Sequence, residues 1–265
     1  MASAVYGKPS DNVAGNATIT AQSGTADSDY PLTNLVDDNP AKPGKLTTTT
    51  GRIMFDFGSA QNIDLVALIH TNLTAGLSVK IQANATDSWG APSIDQAITI
   101  PAVPDDGYPL NPWLDLTGIS PRSYRYWAIQ IAGTNSAAAA IGEVWMQATK
   151  RSLTRNIQWG AVEMEEHPAV EHRTTYGVST VYSLGPRMRT VAGMIRANQT
   201  ALAELIALER DAHHRGSPFL FILDPAVNDA LYVRWASRPF AHVNQFLQTR
   251  PVQVAFEELS RGLYL

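Results

Sequence analysis

The chain contains no cysteine, which excludes disulfide staples, thiolate metal sites and cysteine nucleophiles. Charge is also scarce: charged residues make up 17% of the chain, with a net charge of −4 and a pI near 5.8. Without a broad basic field, neither nucleic acid nor an anionic membrane surface is an expected partner. No uninterrupted apolar run approaches the roughly 20 residues that span a bilayer, so no membrane insertion is expected. The opening Met1-Ala-Ser-Ala-Val-Tyr-Gly-Lys8 lacks the basic and apolar pieces of a secretory leader, so synthesis in a host cytoplasm is expected. The Asn-x-Ser/Thr triplets at Asn16, Asn72, Asn84 and Asn198 then read as by-products of a Thr-rich chain. Also missing are a Gly-x-Ser-x-Gly elbow, His-Glu-x-x-His, a Walker loop and Gly-x-Gly-x-x-Gly, and the expectation is a protein that is not an enzyme.

The hydrophobic content of 45% is that of a folded chain. At 265 residues two domains are expected, each burying its own core: residues 1–149 and residues 150–265. In the first, turn formers are dense (Pro31, Asn39-Pro40, Pro43-Gly44, Gly58, Asp106-Gly107, Pro112, Pro121), and short Ile/Val/Leu/aromatic segments lie between them. This pattern predicts an antiparallel β-sandwich. Ile63–Ile69 is nearly all apolar, as in a central strand covered on both faces, and Tyr124–Ile129 alternates with a strand's two-residue period.

The order of these segments resembles the discoidin, or galactose-binding-like, jelly-roll family over about residues 30–148. Its loop-and-strand elements match Asp37-Asp38-Asn39, Phe55-Asp56-Phe57-Gly58, Asp87-Ser88-Trp89, Tyr124–Ile129 and Ile141-Gly-Glu143-Val-Trp145. Asp38 departs from the glycine usual in that loop. The resemblance implies a possible structural calcium between the first loop and the last strand, with Asp37, Asn39 and Glu143 as candidate ligands and no other cofactor. Carboxylates and loop carbonyls suit a hard cation; the alternative is that Asp37 and Asn39 only cap a tight turn. It also implies sugar or lipid binding through loops. Tyr30, Trp89, Tyr108 and Trp113 lie in loop-like stretches and could stack on a sugar ring, or be buried as packing.

From Thr149-Lys150-Arg151 onward prolines thin out and charges crowd in. Strands are predicted over 157–167 and 187–197, then one helix over 200–215 with Thr200 as its N-cap and an apolar stripe of Ala201, Leu205, Leu208 and Ala212. Further strands are expected at 218–223 and 230–235, and a terminal hairpin over 241–248 and 250–259. The cluster Glu163, Glu165, Glu166, His167, Glu171 and His172 reads as a metal site or, more economically, as a charged strand face. His213 and His214 point apart on a helix and form no joint site.

This half resembles the tail-tube-related domain of phage distal-tail and minor tail proteins, through Gly216-Ser-Pro218-Phe219-Leu-Phe221-Ile-Leu-Asp224-Pro225 and Val252–Glu258. The resemblance implies a tail-tube-like β-sandwich with one packed helix. It further implies a structural component of a phage or phage-like tail tip, located in the virion tail. Edge strands 157–167 and 241–259 would close a ring of identical copies, with a hexamer favoured over a trimer. Tail tube and tail hub proteins would be its neighbours, and a host cell-surface glycan a ligand of the first half. The alternative is a carbohydrate-binding module protein outside any virion; an enzyme on cell-wall polysaccharide is a third reading.

Overall fold

The computed structural model describes residues 3–103, 110–157, 162–166, 169–173, 179–183, 188–212, 216–236 and 250–259. Its strands are β1 (Val5–Gly7), β2 (Thr18–Ser23), β3 (Gly44–Lys45), β4 (Gly51–Asn62), β5 (Leu65–Thr71), β6 (Ser78–Asn84), β7 (Ile94–Ile98), β8 (Trp113–Asp115) and β9 (Ser123–Ala132). They continue with β10 (Ala140–Gln147), β11 (Arg151–Ser152), β12 (Val162–Glu166), β13 (Ala169–Arg173), β14 (Ser179–Ser183) and β15 (Met188–Ala197). A single long helix, α1 (Gln199–Asp211), precedes β16 (Phe219–Ile222), β17 (Leu231–Trp235) and β18 (Arg250–Glu258). The protein is mainly β, as the residue pattern predicts, and the pairings between these strands are antiparallel.

Two sheets make a jelly-roll sandwich: a five-stranded one, β2-β4-β9-β6-β7, and a four-stranded one, β3-β10-β5-β8. Alternation decides what lies between them. Phe55, Trp127 and Ile129 from the first meet Val66, Leu68 and Met146 from the second. The other face of the four-stranded sheet is also covered. Leu65, Ala67, Ile69 and Trp145 pack on Val5, Leu220, Ile222 and Tyr232 of a seven-stranded sheet, β11-β1-β16-β17-β18-β15-β12. The far side of that platform sheet carries Phe219, Phe221, Val233 and Phe256 against Ala201, Leu205 and Leu208 of α1. β5 is therefore an inner strand of an inner layer. All seven of its residues are buried, and a continuous apolar run is what two covered faces require. Each large apolar side chain so buried contributes roughly 1.5–3 kcal/mol.

Four expectations are corrected. The unit 1–149 does not hold at its start, because Val5–Gly7 pairs with β11 and β16 in the platform sheet. The helix begins earlier than 200 and ends at Asp211; its N-cap is Asn198, whose side chain accepts a hydrogen bond from the Ala201 N–H at 2.9 Å. The expected strand over 157–167 does not include Ile157; Val162–Glu166 is strand, and residues 158–161 and 167 lie outside the described residues. Residues 250–258 are an edge only in part: Phe256–Glu258 are bonded to β17 on one side and β15 lies along the other, whereas Arg250–Val254 pair, among the described residues, with β15 alone. Residues 241–249, 213–215 and Tyr108 lie outside the described residues. Among the described residues no helix is long and apolar enough to cross a membrane.

Candidate functional site

Of the candidate aromatic residues, Tyr30, Trp89 and Trp113 do not converge, and Tyr108 lies outside the described residues. Tyr30 stands by the β3 edge of the four-stranded sheet, where the Lys45 ammonium lies 3.8 Å from its ring centroid. Trp113 opens β8, at the opposite edge of that sheet, so it belongs to a strand rather than a loop. Trp89 is near Arg52 of the other sheet, with the guanidinium carbon 5.3 Å from its ring centroid. No single ligand loop unites them.

Trp113 does face a concavity. A cleft of about 470 Å³ is lined by Ala97, Thr99, Trp113, Asp115, Pro225 and Asn228. One wall is sandwich and the other is the loop after β16. That loop is clipped to the sandwich. Asn228 Oδ1 accepts from the Trp113 backbone N–H at 3.0 Å, its Nδ2 donates to the Thr99 carbonyl at 2.7 Å, and the Trp113 indole N–H donates to the Val227 carbonyl at 3.2 Å. The indole stays half-exposed. Asn228 carries no local sequence signal, because its partners are more than a hundred positions away.

Glu143, by contrast, is fully buried. It alternates with Trp145 on the face of β10 that meets the platform. Neither carboxylate oxygen has a hydrogen-bond partner of ordinary geometry among the described residues. Burial pushes its carboxyl up to about 10, the charges of Asp38 and Asp37 add to this, and the Asp38 backbone N–H offsets only part. The first loop therefore does reach the last strand. Asp37 and Asn39 are exposed, and Asp37 Oδ1 accepts from the Asn39 N–H at 3.0 Å, a turn of the Asx type. Asp38 sits at φ 60°, which explains why a glycine suits that position. Here Tyr232 of the platform donates its phenol to Asp38 Oδ1 at 2.8 Å.

Among the described residues no three His, Asp or Glu side chains come together as a metal cage. The unpartnered Glu143 carboxylate nevertheless fits a hard cation that takes its other ligands from loop carbonyls and water.

A second polar corner holds the same junction. Arg189 grips Glu258 with two hydrogen bonds of 2.8 Å and also binds Asp229 and, at 3.8 Å, Glu163. Asn111 ties it to the sandwich, accepting from the His70 N–H at 2.8 Å and donating to the Ala230 carbonyl at 2.7 Å. His70 is buried at φ 49°, its Nε2 3.9 Å from Glu258 Oε1. Burial alone would raise Glu258, but the Arg189 hydrogen bonds and charge, with His70, pull it down to about 2. Of the acidic cluster read from the sequence, Glu163 is half-exposed beside Arg189. Glu165 and Glu166 lie in β12 and Glu171 and His172 in β13; His167 is outside the described residues.

No protein-family profile matches the chain, and no curated protein does. Solved structures do. The module CpGH89CBM32-6 produced by Clostridium perfringens superposes over 52% of this chain and 99% of its own, with a TM-score of 0.38 and 15% identity. The lectin domain of lectinolysin, solved with Lewis B antigen, covers 52% and 96%, at 0.40 and 12%. A chitosan-binding module from a Paenibacillus chitosanase/glucanase covers 52% and 98%, at 0.37 and 20%. At these scores the likeness is to strand layout and says nothing of ligand or role.

Proposed function

We propose that this chain is a non-catalytic carbohydrate-binding protein whose ligand occupies the Trp113 cleft between the sandwich and the platform. The observation that carries this is the half-exposed indole lining a cleft of about 470 Å³ with Thr99, Asp115 and Asn228 beside it. Small-ligand sites run roughly 300–1,000 Å³, mostly apolar with a few convergent polar groups. An indole offers a broad apolar face to the C–H side of a sugar ring, and the three polar side chains can meet hydroxyls. Asp115 is the one carboxylate lining the cleft among the described residues, and it is already held by Lys150 and Thr117. Glycoside hydrolysis ordinarily needs a pair. The names of the neighbours agree with this reading but do not carry it.

Glycan-array screening followed by calorimetry tests it. Trp113→Ala should lower affinity at least about fivefold, since stacking of this kind contributes about 1 kcal/mol or more. A wild type that binds no glycan, or a Trp113→Ala variant that binds as well, sinks the proposal. Hydrolysis of purified wall polysaccharide, abolished at a single carboxylate, would establish an enzyme instead. A structural calcium is part of the same proposal. Glu143 and Asp37, with carbonyls of the Asn39 loop, would hold it and tie the loop to β10. Calcium should then raise the unfolding temperature of the wild type and leave that of Glu143→Gln unchanged.

One observation favours a second reading. Among the described residues β12 has a partner on one side only, exposes Val162 and Met164, and is followed by the β13–β14 hairpin, a two-stranded sheet of its own. Such edges pair with other chains, and an isolated hairpin is marginal in water. Such an edge would serve assembly with identical copies into a ring; the hexamer before a trimer, the virion tail of a phage-like particle and the tail tube and hub neighbours rest on the resemblance of the second half alone. Light scattering that returns a strict monomer at micromolar concentration would count against it.

A further inference from the structure

The outward face of the five-stranded sheet carries an arginine that, among the described residues, has no carboxylate within ion-pair distance. Arg52 alternates with the core residues Ile53 and Phe55, so it points away from the sandwich interior. Its Nε donates to Gln82 Oε1 and its Nη1 to Gln22 Oε1, both at 3.1 Å. Gln82 is only 3% exposed. Its amide donates at 2.9 Å to both Asp95 and Gln130, which sets the direction of the oxygen it offers to Arg52. Gln22 lies at the bulge where β2 slips against β4. The guanidinium is thus fixed by two neutral amides and by the Trp89 indole, which Asp87 holds through a 2.7 Å bond from the indole N–H.

Among the described residues, Arg122, Arg125, Arg151 and Arg189 each grip a carboxylate, whereas Arg52 has none within ion-pair distance. Burial lowers its pKa, and the more distant Asp87 and Asp95 offset this only in part. A half-buried cation with only distant carboxylates is costly, and an anion in direct contact relieves that cost. Nη2 makes no hydrogen bond among the described residues, and the Nη edge of a guanidinium can take a carboxylate bidentately.

We propose that this face is a second binding site, specific for an acidic sugar. The carboxylate of the sugar sits on the Nη edge of Arg52, and its ring lies against the exposed part of Trp89. The proposal shares only the ligand class with the Trp113 cleft and stands on different strands.

Calorimetry on the full chain with glucuronate-terminated oligosaccharides, against the glucose-terminated counterparts, tests it at low and high salt. The acidic ligand should bind, more weakly as salt rises, and the neutral one should not bind at this face. Arg52→Gln should lower affinity for the acidic ligand about tenfold or more, as for a lost hydrogen bond to charge. Arg52→Lys, which keeps the charge and loses the fork, should fall between the two. Trp89→Ala should weaken the acidic ligand and Trp113→Ala should not. Equal affinity for the two ligands, no binding of the acidic one, or full affinity in Arg52→Gln with an unchanged unfolding curve would overturn the proposal. Acidic-ligand binding lost in Trp113→Ala but kept in Arg52→Gln would also overturn it, by moving the ligand to the cleft.

Discussion

Glu258 and Glu143 are buried at the same junction, between the same two sheets, yet their surroundings are opposite. Glu258 is clasped by Arg189, approached by His70, and reached by Asn111 at 3.5 Å. Glu143 has the charges of two aspartates near it and, among the described residues, no hydrogen-bond partner of ordinary geometry. Burial acts on both in the same direction, against the charged form. The arginine reverses that at one corner, giving a carboxyl near 2, and nothing reverses it at the other, giving one near 10. Depth alone therefore does not set the charge of a junction carboxylate; its partner does.

The largest effect should come from removing that partner. Arg189→Met leaves Glu258 and Asp229 without their cation, and urea unfolding should show a loss of about 3–5 kcal/mol. Removing Glu258 as well, in Arg189→Met/Glu258→Leu, should recover much of it. A single-variant loss below about 1 kcal/mol would mean that the corner carries no such weight.

The pH profile tests both corners together. Glu258 is depressed in the folded state, so its contribution is present above the ordinary glutamate range and is lost as pH falls from 4.5 through about 2. Glu143 is raised, so its contribution is complete below 4.5 and drains away as pH rises toward about 10. Near neutrality roughly 3 kcal/mol should already be gone. Glu143→Gln removes the second linkage, so its advantage over wild type should grow with pH between about 5 and 9 in cation-free buffer. Parallel curves would show that Glu143 is not protonated.

Asp38 offers a finer test. Asp38→Gly relieves a positive φ while losing the Tyr232 bond; Asp38→Ala loses the bond and keeps the strain. Alanine should be the less stable by about 1 kcal/mol, and Tyr232→Phe should cost about as much. Asn198→Ala, which removes the helix cap far from either corner, should cost about 1 kcal/mol and leave the pH profile unshifted.

Much of this architecture was legible because it follows from periodicity. The alternation in Tyr124–Ile129, the unbroken apolar run at Leu65–Ile69 and the stripe Ala201, Leu205, Leu208 each report a face, and each appears in its layer. The Thr200 cap was misplaced because Asn198 and Thr200 are both good caps, and only the angle of entry into the helix decides which reaches Ala201. The expected edge was misjudged at Phe256–Glu258, because an alternating strand reads the same whether one neighbour or two lie beside it. The ligand surfaces were least legible. Trp89 and Trp113 were nominated, but Arg52, Gln82 and Asn228, which shape what surrounds them, were not.

The amino-acid order by itself determined the strands, the single helix and the faces they bury, because each depends on residues a few positions apart. Which polar side chains found partners was left to the tertiary structure. Asp38 meets Tyr232 across 194 positions and Asn111 meets Ala230 across 119, while Glu143 meets neither an arginine nor a lysine among the described residues. Those outcomes depend on how three sheets stack, and nothing local encodes that.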